Sequence, residues 1–230
     1  MKNNQKGFTL VEIAIVLVII GLLLGGVLKG QELINSAKVK NMVNDFRTTS
    51  ALVYGYQDRF KSFPGDQTQL QLNDSFGIGA GATACAPAAA GQCGSNNGRI
   101  DGAWDAAAVT DETFVFWQHV RLANLATGTI NTALQNYRPR NADGGFIGIE
   151  SGINGAGVAA PFILGMRGSV FVCSENILGR YVRQIDTTMD DGNTLAGSVQ
   201  AVPVGSPRGT QPTGTANIND GQLYTVCASL

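Results

Sequence analysis

Apolar and polar positions follow three different rhythms along this chain. Met1 to Gly7 is polar and carries Lys2 and Lys6 without an acid. From Phe8 to Leu28 the residues are almost all apolar, and Glu12 is the one charged side chain among them. Roughly 20 residues at ~1.5 Å each match the hydrocarbon core of a bilayer, so this run predicts one membrane-spanning helix. From Lys29 the rhythm becomes helical and amphipathic. Val39, Met42, Val43, Phe46, Val53, Tyr56 and Phe60 share a stripe, with Lys38, Lys40, Asp45, Arg47 and Asp58 between them. The two stretches join into a helix predicted from about Thr9 to Lys61, ~80 Å long if unbroken. Pro64 disfavours helix at Phe63, and Pro64-Gly65 makes a turn that ends it.

Beyond the turn the pattern shortens. Residues 66–103 are rich in Gly, Ala, Asn and Asp and read as a long surface loop. Thr110-Asp111-Glu112-Thr113 can cap a second helix that runs through 114–125, stops near Gly128 and buries Phe116, Trp117, Val120 and Ala123. Short apolar runs at 145–149, 161–164, 169–173, 197–202 and 223–227 read as strands. A third helical stretch is expected around Ile177–Met189. The runs show no internal repeat and no strict alternation, which leaves strand order open. Together these elements predict an α+β chain: a long N-terminal helix, transmembrane in its first half, and a loop-rich head with several short strands.

Composition narrows the class. Beyond the membrane-length run there is chain enough for one modest globular domain. The net charge is -1 and the basic residues are scattered, which argues against an electrostatic nucleic-acid surface. The chain has 30 glycines, but apolar runs recur between the Gly-rich pieces, so they read as loops rather than disorder. Four cysteines without CxxC spacing point to disulfides in an oxidising compartment. Of three pairings, the one expected joins Cys85 to Cys93 in a short local loop and Cys173 to Cys227, tying the C-terminus to the sheet.

Catalytic signals are weak. His119 is the sole histidine, and nothing near it in sequence completes a triad, so a partly exposed structural role is expected. There is no Gly-x-Ser-x-Gly, no phosphate-binding Gly-Lys-Ser/Thr and no His/Cys group with zinc spacing. No catalytic residue is assigned, and no nucleic-acid partner is expected. One acidic group stands out: Asp186, followed by Asp190-Asp191-Gly192-Asn193. Aspartates at a helix C-terminus oppose its dipole, which hints at a compensating cation. Calcium takes clustered oxygens, and Asp190, Asp191 and Asn193 are its candidate ligands, although the tetrapeptide is also an ordinary turn without EF-hand spacing.

The N-terminal residues carry a more specific signal. Lys6-Gly7-Phe8-Thr9-Leu10-Val11-Glu12, followed by the apolar run, resembles the class III signal of the type IV pilin and type II secretion pseudopilin superfamily. The resemblance is close over residues 6–65 and loose beyond. It implies cleavage after Gly7 by a prepilin peptidase, N-methylation of Phe8, and an apolar run that stays on the mature chain. It implies that Glu12 pairs with the Phe8 amine of a neighbouring subunit inside a filament. Glu12 also lies one helical turn from its own amine and near the positive end of the helix dipole, which would hold it without a neighbour. The run lacks the proline that many pilins carry; Gly25 and Gly26 are expected to soften it instead. Gly21-x-x-x-Gly25 and Gly26-x-x-x-Gly30 are spaced for close helix approach in lipid.

The resemblance implies a pilin-like α+β fold, with the second half of the long helix packed on a small antiparallel sheet, and a pilin-like division of the chain: a leader at 1–7, a transmembrane and assembly segment at 8–28, and a head at 29–230 that includes the amphipathic half of the long helix. The expected function is that of a structural subunit of a type IV pilus or pilus-like filament, not an enzyme. Its partners would be copies of itself, related pilins, the prepilin peptidase and an inner-membrane assembly platform. The precursor would cross the inner membrane once, N-terminus cytoplasmic and head periplasmic, before reaching a pilus at the cell surface. A periplasmic pseudopilin is the alternative within the family. A signal-anchored periplasmic binding protein or enzyme is the alternative outside it.

Overall fold

The structure, a computed structural model, describes residues 9–86, 93, 94, 96–151 and 161–230. A single helix, α1 (Leu10–Phe60), comes first. It is followed by α2 (Gln69–Phe76), α3 (Glu112–Leu122), β1 (Ile147–Ser151), β2 (Val170–Leu178), α4 (Gly179–Met189), β3 (Val199–Pro203) and β4 (Leu223–Ser229). The chain divides into two units, Met1–Lys38 and Val39–Leu230. In the first, every described residue of α1 up to Leu28 is exposed, leucines and isoleucines included. No helix propensity demands that; it is what an apolar helix looks like without its lipid or its neighbours.

The second unit holds the core. Of the predicted stripe, Val39, Met42, Val43, Phe46, Val53 and Tyr56 are buried and Phe60 is half-buried against the core; Leu52 joins the buried set. They cluster with Phe114, Val115, Phe116, Trp117 and Val120 from α3, Tyr181, Val182 and Ile185 from α4, and one face of the sheet. α1 ends where Lys61 turns left-handed at φ 56°, three residues before Pro64. Arg59 donates to the Ala123 carbonyl at 2.9 Å and so ties the end of α1 to the end of α3.

The sheet is antiparallel throughout, in the order β1-β2-β4-β3. Its two faces are both covered. Val170 and Val172 of β2 point into the main core, whereas Phe171 and Cys173 join Trp104, Ile163, Met166, Val202 and Cys227 in a second cluster. Phe162 packs on that second cluster, edge-on to Trp104. A strand buried on both faces reads as a continuous apolar run, so the sequence shows no alternation.

Several predicted elements shift. The run at 161–164 is not a strand; Ile163 makes one isolated bridge to Thr210, because Pro161 and the left-handed Gly165 (φ 90°) leave no room for a ladder. Ile177 belongs to β2, and the third helix starts at Gly179. The predicted second helix, α3, ends at Leu122 and is followed by the left-handed Asn124 (φ 57°), short of Gly128. The loop at 66–103 contains α2, opened by a capping box between Thr68 and Gln71. It also sends Leu72, Cys85 and Ile100 inward, so it is part of the core's wall.

The structure contains two disulfides, Cys85–Cys93 and Cys173–Cys227. Cys173 and Cys227 are direct cross-strand partners on β2 and β4, with Cα atoms 4.1 Å apart. Residues 87–92, which complete the first disulfide loop, lie outside the described residues.

Candidate functional site

Of the predicted processing and assembly residues, Gly7 and Phe8 lie outside the described residues, and Glu12 is in the first turn of α1. Thr9 precedes the helix, and its backbone N–H and hydroxyl both donate to Glu12 Oε2 at 2.8 Å. The Glu12 N–H donates back to Thr9 Oγ1 at 3.3 Å. This is a capping box: the reciprocal bonds satisfy two of the donors that a helix start leaves without partners. Its signal, Thr-x-x-Glu ahead of an apolar run, stands in the sequence, but pairing Glu12 with an amine leaves Thr9 without a role there. The box fixes the carboxylate beside the helix start and uses one of its oxygens. Among the described residues, Oε1 accepts no hydrogen bond.

Around this carboxylate the helix surface is uniformly apolar and open. Leu10 is 90% exposed and Leu22 73%. Gly21, Gly25, Gly26 and Gly30 face open space, where an added Cβ would meet nothing within 4 Å. α1 is the one helix among the described residues long and apolar enough to cross a membrane. The arrangement is suited to lateral contact with other apolar helices or lipid, with one anionic group at its head.

The head offers a different picture at His119. The expectation of partial exposure is wrong: the ring is fully buried. Nδ1 accepts the Gly65 N–H at 2.9 Å, so Nε2 carries the proton and donates to the Thr83 carbonyl at 2.9 Å. Burial pushes its pKa down to about 4. Gly65 is required there: its φ is 100°, and a Cβ would meet the Glu112 carbonyl oxygen at 2.6 Å. The imidazole thus pins the turn after α1 and the 81–86 segment onto α3, with both nitrogens engaged by backbone.

Near it lies a buried acidic group. Glu112, Asp66 and Asp101 are all almost fully buried. Glu112 accepts from the N–H groups of Gly94 and Asp101, and Asp66 from those of Asn97 and Gly98. Burial, with the charges of Asp66 and Asp101 adding to it, drives the Glu112 carboxyl up to about 8. These carboxylates hold the segment that carries Cys93 against α3.

The acidic residues predicted near the end of α4 are brought together in part. Asp186, Asp190 and Asp191 each place a carboxylate oxygen within 4.8 Å of the others. Asn193 instead accepts from the Leu195 N–H at 3.3 Å and shapes the turn.

Comparison with known proteins finds a match at the amino-terminal segment. No curated protein and no solved structure matches the chain significantly. The amino terminus matches a methylation motif, which supports a type IV pilin- or pseudopilin-like precursor, implies processing by prepilin peptidase, and points to a structural subunit; with the apolar helix, it fits membrane anchoring. Residues 2–28 match the prokaryotic N-terminal methylation motif, a class III signal of the type IV pilin kind.

Proposed function

We propose that this chain is a structural subunit of a type IV pilus or pilus-like filament. The observation that carries the reading is the methylation motif at 2–28, which contains an apolar run, 8–28, whose sole charged side chain is Glu12. Cleavage after Gly7 leaves a cationic amine on Phe8, which methylation does not remove. The leader is 1–7, the anchoring and assembly segment 8–28, and the head 29–230. The precursor sits in the inner membrane with its head on the periplasmic side, and then joins the filament through the exposed face of the helix.

Glu12 is the residue on which assembly turns. A carboxylate in a bilayer costs on the order of 2.5–3.5 kcal/mol at mid-depth, less near the interface. In an apolar filament core the Phe8 amine of a neighbouring subunit compensates both charges. Removing one member leaves the other buried without a partner, at about 3–5 kcal/mol. The subunit's partners are further copies of itself or related pilins, the prepilin peptidase and an inner-membrane assembly platform.

The test has two arms. Mass spectrometry of the mature chain should find N-methylated Phe8 at its start; retention of Met1–Gly7 in cells with active peptidase would remove the reading. Glu12→Ala should be cut normally yet fail to enter filaments, and full incorporation would refute the pairing. Deleting the chain then separates the biological settings. Loss of surface filaments marks a pilin, and loss of protein secretion marks a periplasmic pseudopilin.

A further inference from the structure

The part of α1 in the second unit carries one acid that the core does not explain. Asp45 lies at the edge of the buried stripe, one turn from Met42 and Thr49, and is half-buried. Its carboxylate makes no hydrogen bond or ion pair among the described residues. Burial pushes its pKa up to about 6. The side chains of Asn44 and Thr48, on the same turn, are likewise uncommitted among the described residues. The next two residues behave differently. Thr49 and Ser50 each return their hydroxyl to a carbonyl one turn back, at 2.8 and 3.0 Å, as hydroxyls within helices commonly do.

Asn44, Asp45 and Thr48 line a recess of about 360 Å³ between α1, the end of α3 and the start of β1. Leu52, Trp117, Leu125 and Ile147 give it apolar walls. Arg121 of α3 faces it from the side opposite α1. That guanidinium is already engaged: it donates to the Thr127 and Thr129 carbonyls at 3.3 and 2.8 Å and lies over the Trp117 and Tyr137 rings. Asp45 and Arg121 are the two ionisable side chains of the lining, and they do not pair with each other. Small-molecule sites have this form, a volume of about 300–1,000 Å³ with apolar walls and a few polar groups set together. A carboxyl shifted by desolvation inside a cleft is a second sign of the same kind.

We infer that this recess binds a small primary amine with a bulky apolar body, of the arylalkylamine class. An ammonium group has three donors and no acceptor. Asp45, Thr48 and Asn44 offer it a carboxylate, a hydroxyl and an amide oxygen within one turn of α1. The charge of Asp45 then gains the partner that the head does not supply. The apolar body covers Leu52, Trp117, Leu125 and Ile147. Arg121 sets the direction, because its positive charge repels the ammonium and keeps it at the α1 end. An anion of the same shape would meet the like charge of Asp45. A lysine side chain has the right head, but its unbranched stem would leave much of the volume empty. None of this depends on filament assembly.

The full chain, purified in a non-ionic detergent, tests it by titration calorimetry with phenethylamine. At about pH 7.5 the amine is protonated and Asp45 is ionised. Phenethylamine should bind with Kd of about 1 mM or tighter, an ordinary value for so small a ligand. 3-Phenylpropionate, a similar body with the opposite charge, should not bind. n-Butylamine, which copies a lysine stem, should bind at least about fivefold more weakly. Asp45→Asn should weaken phenethylamine at least about tenfold. Thr48→Lys, at an exposed position, places an ammonium three residues from Asp45 and should abolish binding without touching the core. The inference is overturned if phenethylamine does not bind up to about 20 mM, if phenylpropionate binds as well, or if Asp45→Asn binds like wild type. Equal affinity for n-butylamine overturns the bulky body. Should Asp45→Asn fail to fold, unchanged affinity in Thr48→Lys overturns the site.

Discussion

His119 should make the head acid-labile, and the size of the effect follows from its burial. The ring is neutral in the folded chain, its protonated form disfavoured by loss of water on every side. Protonation would also destroy the acceptor at Nδ1 that holds the Gly65 N–H. An unfolded chain binds the proton near the ordinary histidine pKa of 6.5, the folded one only near 4. Stability from this residue is therefore complete above pH 6.5 and is lost as pH falls toward 4. At about 1.4 kcal/mol per pH unit, the loss is roughly 3 kcal/mol. Urea unfolding of the full chain in detergent, followed by the fluorescence of buried Trp104 and Trp117, can measure it. Other groups titrate in the same range, so the relevant quantity is the difference between wild type and His119→Gln. Glutamine keeps a donor near Nε2 and cannot be protonated. That difference should be constant from pH 7 to 8 and shrink by roughly 3 kcal/mol by pH 4. A difference independent of pH would refute the argument, and with it the assigned tautomer.

Glu112 should act in the opposite direction. Its folded pKa near 8 lies above the ordinary 4.5, so its ionisation costs stability as pH rises from about 4.5 to 8. Glu112→Gln should flatten that decline; an unaltered slope in the same urea series counts against it. The two disulfides should differ in worth. Closing the 54-residue separation of Cys173–Cys227 contributes about 4 kcal/mol on chain-entropy grounds, against about 2.5 kcal/mol for the 8-residue separation of Cys85–Cys93. Cys173→Ala/Cys227→Ala should thus lower the unfolding midpoint more than Cys85→Ala/Cys93→Ala, and the reverse order in calorimetry would contradict it.

The apolar run and its exposure fit a membrane-anchored precursor. No described residue of the first unit buries Leu10 to Leu28. The capping box keeps Glu12 near the helix start without consuming both of its oxygens.

The amino-terminal methylation motif was legible in the sequence because it is one-dimensional. Residues 2–28 are contiguous, and the apolar helix that follows from them needs no distant partner to define it. The stripe from Val39 to Tyr56 was legible for the same reason, since a helix writes its period directly into the chain. The sheet wrote no such period. Phe171 and Cys173 face one apolar cluster while Val170 and Val172 face another, so every position looks alike until the layers on both sides are known. Burial of His119 depended on Gly65 and Thr83, 54 and 36 residues away. Asp186 appeared as one more acid in a turn, and only the packing of α4 against the sheet removed water from both its oxygens. Local pattern therefore determined the helix and its signal, whereas environment, which depends on contacts remote in sequence, was decided by the tertiary structure alone.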